Sequence, residues 1–201
     1  MKKWLFLLAL IGGLAWWLHE PAAAWKGLPA AREPQQDTLQ LPAPFTRGQL
    51  TITPLARYGI TAVVLGSERY RNDDAADFAP VDLALGWGPM SSAAAINSLS
   101  ISQSSRWYEY SWSAEDSPLS PTGIASHSAN THCLPATPEI RQKLLRVRRH
   151  ELVAMSGYLV EVQTSGGYRW RSSLSRHDVS GGACEVFWIT SLESAPIPRE
   201  P

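Results

Sequence analysis

Residues 151–162 read ELVAMSGYLVEV and residues 168–172 read YRWRS, and the short sequence SGG, at residues 165–167, lies between them. Two runs rich in β-branched and aromatic residues that are joined by a glycine turn are typical of a β-hairpin. Residues 184–191 form a further strand-like run after a glycine-rich loop. Together these segments predict a C-terminal meander of the kind found in small, partly open barrels.

The sequence upstream of this meander adds strands and a few short helices. β-branched runs at residues 50–55 and 59–65 predict two strands, and residues 107–112 alternate aromatic with polar side chains, as a half-buried strand does. Residues 138–149 begin with proline and continue with apolar residues at helical spacing, which predicts a helix, and residues 93–99 predict a shorter one behind a serine cap. The fold class is therefore α+β: a β-rich single domain of about seven strands with one or two short helices, preceded by an N-terminal hydrophobic helix.

Length and charge limit the classes of function. The 201 residues suffice for one domain with a substantial hydrophobic core. The 18 basic and 18 acidic side chains give a net charge of zero, which removes the broad electrostatic attraction on which nucleic-acid binding depends. Nucleic acid is therefore disfavoured as a partner.

The N-terminus predicts export from the cytoplasm. Lys2 and Lys3 precede an uncharged apolar run, residues 4–18, which spans about 22 Å as a helix. That length is typical of a signal peptide, and the alanines at residues 22–24 suit a signal-peptidase site, whereas aromatic residues at the end of the run resemble those of an inner-membrane anchor. Cleavage and anchoring both stay open, and both place the rest of the chain in the periplasm.

Composition divides the chain into four parts. Residues 1–24 are expected to be a signal peptide or membrane anchor, and residues 25–48 a Pro/Ala-rich linker. Residues 49–193 form the β-rich globular domain, and residues 194–201 are expected to be a disordered tail.

The cysteine count is informative because of the expected compartment. Cys133 and Cys184 are the only cysteines, and a pair of cysteines in an oxidising compartment favours a disulfide. Two unpaired thiols are the alternative, in which a buried cysteine acts as a small apolar residue. A cysteine held in a disulfide cannot act as a nucleophile, so the structural and catalytic interpretations of Cys184 exclude each other.

Residues 126–133, SHSANTHC, contain the densest group of reactive side chains. His127 and His132, together with Cys184, could serve a thiol hydrolase, because a nucleophilic thiolate needs a neighbouring imidazole. The histidines and the cysteine of residues 126–133 are not spaced as the paired ligands of zinc sites are, so no metal and no cofactor are predicted. The structural alternative is that the histidines form backbone hydrogen bonds in a loop.

The acidic residues in residues 73–82 are a second reactive group. Their spacing does not match a calcium-binding loop, which favours a solvated loop. Asp82 is followed by apolar residues and is interpreted as a buried capping residue.

Aromatic and basic side chains suggest a recognition surface. The candidate binding residues are Trp87, Arg106, Asn130 and Trp170. Tryptophan and arginine side chains are enriched where proteins contact their partners. The sequence therefore favours a binding or assembly module of the cell envelope, with an envelope protein or a glycan as partner. The alternative is a periplasmic Cys/His hydrolase, or a metal-dependent enzyme, that uses His127, His132 and Cys184.

Four runs resemble those of a set of uncharacterised bacterial proteins with a similar N-terminal hydrophobic segment. The runs are LGWGPMS at residues 85–91, ISQSSRWY at residues 101–108, HSAN at residues 127–130 and GACE at residues 182–185. The resemblance covers roughly residues 60–190. It implies a bacterial-envelope location, and it implies no catalytic residues because no activity is attached to that set.

Overall fold

The structure, a computed structural model, describes residues 22–112, 118–175 and 184–198. Strands dominate these residues, and the helices are short. The strands are β1 (Gln35–Asp37), β2 (Phe45–Arg47), β3 (Leu50–Arg69), β4 (Val81–Gly86), β5 (Ser100–Ser104), β6 (Trp107–Ser111), β7 (Ser128–Pro135), β8 (Glu151–Thr164), β9 (Arg169–Arg171) and β10 (Glu185–Pro196). The helices are α1 (Ala93–Asn97), α2 (Pro121–Ser126) and α3 (Pro138–Leu144), and a 3-10 turn (Gly88–Ser91) precedes α1. The predicted β-rich α+β single domain is confirmed.

Five strands form a ring: they pair in the order β3, β4, β7, β10 and β8, and β8 pairs again with β3. β3 pairs with β8 through residues 50–63 and with β4 through residues 63–69, because its 20 residues are long enough to serve both neighbours. β4 pairs with β7, β7 runs parallel to β10, and β10 pairs with β8. The result is a partly ring-like sheet, to which β1, β2 and β9 add at the edges, while β5 and β6 form a separate hairpin.

The two faces of this sheet have different compositions. All five strands of the ring contribute apolar side chains to one interior cluster, which includes Leu83 from β4, Cys133 from β7 and Phe187 from β10. Because side chains alternate along a strand, the residues next to these point to the outer face. Asp82 and His132, which are aligned with each other in the sheet, therefore lie side by side on the outer face of β4 and β7.

The predicted strands at residues 50–55 and 59–65 are one continuous strand, β3. Pro54 and Gly59 suggested an interruption, but neither breaks the pairing. Pro54 lies where the register between β3 and β8 shifts, and a missing N–H is tolerated at such a bulge. Gly59 is paired on both sides, with Gln35 and with Ser156.

Helix α3 is shorter than predicted. The sequence pattern indicated a helix over residues 138–149, whereas α3 ends at Leu144. Leu144 and Val147 are both buried in the interior cluster, and the chain between Val147 and β8 passes through His150, whose φ is +66°. After α3 the hydrogen bonds change to the i→i−3 type, from the Arg146 N–H to the Lys143 carbonyl at 2.9 Å and from the Val147 N–H to the Leu144 carbonyl at 3.2 Å, so these residues form turns instead of continuing the helix.

The segment predicted to be a linker, residues 25–48, packs along the domain, because β1 and β2 within it pair with β3. The preceding residue Ala23 is buried and forms two hydrogen bonds with one side chain: its N–H donates to Asn97 Oδ1 at 2.9 Å, and Asn97 Nδ2 donates to its carbonyl at 2.8 Å. The start of the predicted tail, residues 194–196, also belongs to a strand, because β10 pairs with β8 as far as Pro196.

The predicted export segment lies almost entirely outside the described residues. Residues 1–21, which include the apolar run at residues 4–18, are not part of the described ranges. Within the ranges that are described, no helix has the length and apolar character needed to cross a bilayer.

The expected disulfide is not formed: Cys133 and Cys184, both described, are separate thiols. Cys133 is aligned with Phe187 across the β7–β10 pair, and Cys184 lies three residues before Phe187. That offset is about 10 Å along a strand and places the two side chains on opposite faces. A disulfide needs Cα atoms within about 7 Å of each other. Burial raises the pKa of the Cys133 thiol well above its ordinary value.

Candidate functional site

A cavity of about 450 Å³ lies against the outer face of the ring, beside β7 and the start of β10. The turn of the β5–β6 hairpin, the loop between β3 and β4, and β9 form its other walls. Its lining residues are Asp73, Asp74, Ala75, Arg106, Trp107, His132, Tyr168, Trp170, Arg171 and Cys184. Four of the residues singled out in the sequence therefore meet at one place: Arg106, His132, Trp170 and Cys184.

A larger depression of about 790 Å³ lies between β3, β5 and residues 147–150. Its lining is polar and open and includes none of the candidate residues from the sequence. The smaller cavity is the better candidate site, because reactive, aromatic and buried charged groups converge there.

Arg106 connects three parts of the fold through two carboxylates. Its Nε and Nη2 donate to Asp73 Oδ2 and Oδ1, both at 2.8 Å, and its Nη1 donates to Asp82 Oδ1 at 2.8 Å. Its guanidinium also stacks on Tyr70, with the carbon at its centre 3.6 Å from the ring centroid. Burial alone would lower the pKa of Arg106, but the hydrogen bonds and charges of Asp73 and Asp82 outweigh burial and raise it.

The backbone around Arg106 is held in an unusual conformation. Ser105 and Arg106 form the two-residue turn of the hairpin with φ values of +50° and +71°, which non-glycine residues seldom adopt. The N–H of Arg106 donates to Tyr70 Oη at 3.0 Å, and Asn130 Nδ2 donates to its carbonyl at 3.0 Å. These contacts compensate for the strain, so the hairpin turn is fixed on the outer face of the ring.

His132 faces the same buried carboxylate. Its Nδ1 lies 2.9 Å from Asp82 Oδ2, and the side chains are 3% and 0% exposed. The spacing is that of an ion pair, and neither atom has a hydrogen-bond partner of good geometry among the described residues. Trp170 covers the imidazole, with ring centroids 4.3 Å apart. The Asp82 carboxylate therefore lies beside the Nδ1 edge of the imidazole, and the ring lines the cavity.

Asn130 is fixed between the hairpin and Cys184. Gln103 Nε2 donates to Asn130 Oδ1 at 2.9 Å, which directs Nδ2 of Asn130 to the other side. That nitrogen contacts the Arg106 carbonyl and also donates to Cys184 Sγ at 3.9 Å. An amide N–H therefore points at the sulfur of Cys184 from a position that two further contacts hold in place.

Two of the candidates from the sequence lie elsewhere. His127 caps α2, with Nδ1 2.8 Å from the Gly123 carbonyl and Nε2 3.4 Å from Glu33 Oε1. The buried Trp87 donates from Nε1 to Glu33 Oε2 at 2.9 Å and packs in the interior cluster. His127 precedes β7, which begins at Ser128, so its contacts are with helix α2 and with Glu33. Neither His127 nor Trp87 lines the cavity.

Asp82 and Asp73 were not predicted to belong to the site. A signal for Asp82 was present, because an aspartate within the apolar run VDLAL is buried only when it is paired. Its partner could not be identified, because it depends on the pairing of β4 with β7 and on the docking of a distant hairpin.

The candidate metal chemistry of the sequence finds no support in the part of the chain that is described. Within residues 22–112, 118–175 and 184–198, no three His, Cys, Asp or Glu side chains are arranged to hold a metal ion.

The chain has no significant match among protein-family models, curated proteins or solved structures. The chemistry of the site is therefore inferred from its own geometry.

Asp73 provides a test of the Arg106 contacts through pH. Hydrogen bonds from Arg106 lower the pKa of Asp73 below its ordinary value of 3.8. A lowered pKa in the folded state means that the contribution to stability is present above the ordinary value and is lost as the pH falls through the folded pKa. Because the Asp73 side chain is 37% exposed, we expect Asp73→Asn to remove at most about 1 kcal/mol at pH 6 and less at acidic pH.

The measurement is urea unfolding of wild type and Asp73→Asn at pH 6 and at about pH 2.5, below the ordinary carboxyl pKa. Asp77→Asn, in the same loop, is the control. If wild type and Asp73→Asn differ in stability by the same amount at both pH values, the ion pair between Asp73 and Arg106 does not contribute as described.

Proposed function

We propose that this domain is a binding module of the bacterial envelope that holds a sugar ring of a glycan in the cavity beside Trp170. The observation that supports this most is the set of aromatic side chains around the cavity. Trp107 and Tyr168 are 53% and 51% exposed, although large aromatic side chains are usually buried, and they lie on the cavity wall together with Trp170. Exposed rings beside a concave site provide flat apolar surfaces on which a sugar ring can stack.

The charges around the cavity favour hydroxyl groups over phosphate. Arg106 is occupied by Asp73 and Asp82, and Arg171 Nη1 donates to Glu161 Oε2 at 2.9 Å. Asp74 forms no ion pair with any residue of the described ranges and is available as a hydrogen-bond acceptor. A glycan satisfies a carboxylate through its hydroxyl groups, whereas an oligonucleotide would require free basic side chains.

The connectivity of the ring gives a further reason for this ligand class. The long first strand, the order β3-β4-β7-β10-β8 and the parallel β7–β10 pair correspond to the strand order of OB-folds. In that architecture the face of the second and third strands binds oligonucleotides or oligosaccharides. The equivalent strands here are β4 and β7, beside which the cavity lies. This argument is an analogy between folds and supports a site without identifying its ligand.

The envelope location is part of the proposal and depends on the N-terminal sequence. Lys2, Lys3 and the apolar run at residues 4–18 favour export, and glycans are abundant outside the cytoplasmic membrane. The arrangement of aromatic rings and carboxylates is consistent with that environment.

The test is titration of the protein with chitotriose and with maltotriose, followed by NMR of the tryptophan indole N–H groups. We expect one of the two sugars to shift the Trp107 and Trp170 resonances and expect Trp107→Ala and Tyr168→Ala each to weaken binding about tenfold, as the loss of one stacking contact implies. Leu39→Ala is the control, because Leu39 is an exposed apolar residue that does not line the cavity. The proposal fails if neither sugar perturbs these resonances, or if the aromatic variants bind as tightly as the control.

A further inference from the structure

We infer that Cys184 is a nucleophile in this cavity, that His132 is its general base, and that Asp82 is the positioning residue for the imidazole. The inference deepens the proposed function and rests on it for the substrate class: an acyl ester carried by a hydroxyl of the bound glycan. Asp82 and His132 lie on the neighbouring strands β4 and β7, Cys184 immediately precedes β10, and both His132 and Cys184 line the cavity.

The register of the sheet explains how these residues meet. Asp82 is aligned with His132 across the β4–β7 pair, and Val186 is aligned with His132 across the β7–β10 pair. Cys184 is two residues before Val186 and lines the same cavity as His132, so the thiol and the imidazole lie on the same side of the sheet. The corresponding Cα–Cα separation is about 8 Å, which a histidine side chain can bridge. Across the outer face the order is carboxylate, imidazole, thiol.

The surroundings of the sulfur favour its anionic form. Asn130 is 4% exposed, and its Nδ2 donates to Cys184 Sγ at 3.9 Å while Gln103 and the Arg106 carbonyl hold the amide in place. A donor fixed next to sulfur stabilises a thiolate relative to a thiol. Cys133 lacks this environment, because it is fully buried in the interior cluster and its Sγ donates to the Thr131 carbonyl at 3.4 Å.

The reaction can be written with groups of this chain and water alone. With the Nδ1–H of His132 facing Asp82, Nε2 accepts the proton of Cys184, and the sulfur attacks the carbonyl carbon of the ester. A C–S bond forms, the C–O bond to the sugar breaks, and the imidazolium returns its proton to the leaving sugar oxygen. Water then gives a proton to His132 and attacks the thioester carbon. The C–S bond breaks, the imidazolium returns its proton to the sulfur of Cys184, and a carboxylic acid is released.

The first experiment measures the reactivity of both cysteines in the intact, folded protein. Iodoacetamide modification of Cys184 and Cys133 is followed by peptide mass spectrometry between about pH 5 and pH 9, a range that spans the ordinary titrations of histidine and cysteine. We expect Cys184 to react more than tenfold faster than Cys133 and faster than glutathione at pH 7. We expect His132→Gln to slow Cys184 at pH 7 at least tenfold and to move its pH profile upward, while His127→Gln leaves it unchanged.

The pH profile of Cys184 modification also tests the role of Asp82. Asp82→Asn retains an oxygen for Arg106 but removes the charge that faces His132 Nδ1, so the profile of Cys184 should shift in the same direction as in His132→Gln. A purely structural role of Asp82 would lower stability and leave the profile unchanged. Identical profiles in wild type and His132→Gln, or a Cys184 that reacts no faster than glutathione, would overturn the inference.

The second experiment uses p-nitrophenyl acetate. We expect a burst of p-nitrophenol, an acetyl group on Cys184 detected by mass spectrometry, and loss of both in Cys184→Ser. Absence of the burst and of the acetylated peptide from wild type counts against the nucleophile.

Sugar titration of Cys184→Ser separates this inference from the proposed function. If the variant still binds chitotriose or maltotriose but wild type shows no thiol reactivity, the nucleophile fails alone. If the thiol reacts as expected and no sugar binds, the glycan ligand fails alone.

Discussion

Replacing Arg106 by methionine is expected to lower the free energy of unfolding by about 3 to 5 kcal/mol. Methionine retains much of the volume of the side chain but removes the guanidinium that pairs with the fully buried Asp82 carboxylate, which is left with only the imidazole of His132 beside it. It also removes the cation stacked on Tyr70 and the two hydrogen bonds to Asp73. An unpaired carboxylate out of contact with water is among the most unfavourable groups a folded protein can contain.

Urea unfolding at pH 7 measures this effect, and Arg169→Met is the matched control. Arg169 also pairs with a carboxylate, at 2.7 Å from Glu161, but its side chain is largely exposed, so its loss should cost far less than the loss of Arg106. Adding Asp82→Asn to Arg106→Met should recover part of the lost stability, because the second change removes the unpaired charge. A cost of Arg106→Met no greater than that of Arg169→Met would show that Asp82 is not charged or not paired as described.

Gly157→Ala is expected to cost about 3 kcal/mol or more, or to prevent folding. A Cβ at this position would overlap the Trp188 carbonyl oxygen and lie 3.1 Å from the Thr190 nitrogen, and the glycine has a φ of +157°. Both contacts are with the backbone of β10 at the register shift next to Ile189, so no side-chain rotation relieves them. The close approach of β8 to β10 requires glycine.

Differential scanning calorimetry of Gly157→Ala and Gly59→Ala measures the difference. Gly59 is also paired within the sheet, but a Cβ there would meet only the Met155 carbonyl oxygen, at 3.9 Å, an ordinary contact. The melting temperature should therefore fall steeply for the first variant and little for the second. Equal melting temperatures would mean that β8 and β10 separate easily at the bulge.

Local sequence patterns were sufficient where structure depends on neighbouring residues. The hairpin of β8 and β9 was predicted because its alternation and its glycine turn lie within one short segment. The union of two predicted strands into β3 was missed, since Pro54 and Gly59 resemble breaks unless the register of β8 and β1 is known.

In the candidate site too, residue types could be predicted from local sequence, whereas their pairing depends on the register of distant strands. Arg106, His132, Trp170 and Cys184 were singled out by residue type, and the structure brings them to one cavity. The pairing of His132 with Asp82 depends on the alignment of β4 with β7, and no local pattern encodes that alignment. His127 has the same residue type as His132 and lies close to it in sequence, but helix α2 ends there, and its side chain contacts Gly123 and Glu33 instead of the cavity.

The position of β10 between β7 and β8 has a consequence for biogenesis. Both neighbours are synthesised first, and each lacks one partner until the end of the chain arrives. Cys184 enters together with this strand, so a nascent or truncated polypeptide carries Asp82 and His132 without the thiol. Maturation of the cavity is therefore coupled to completion of the whole polypeptide, and prematurely terminated chains should aggregate through the two open edges instead of retaining partial function.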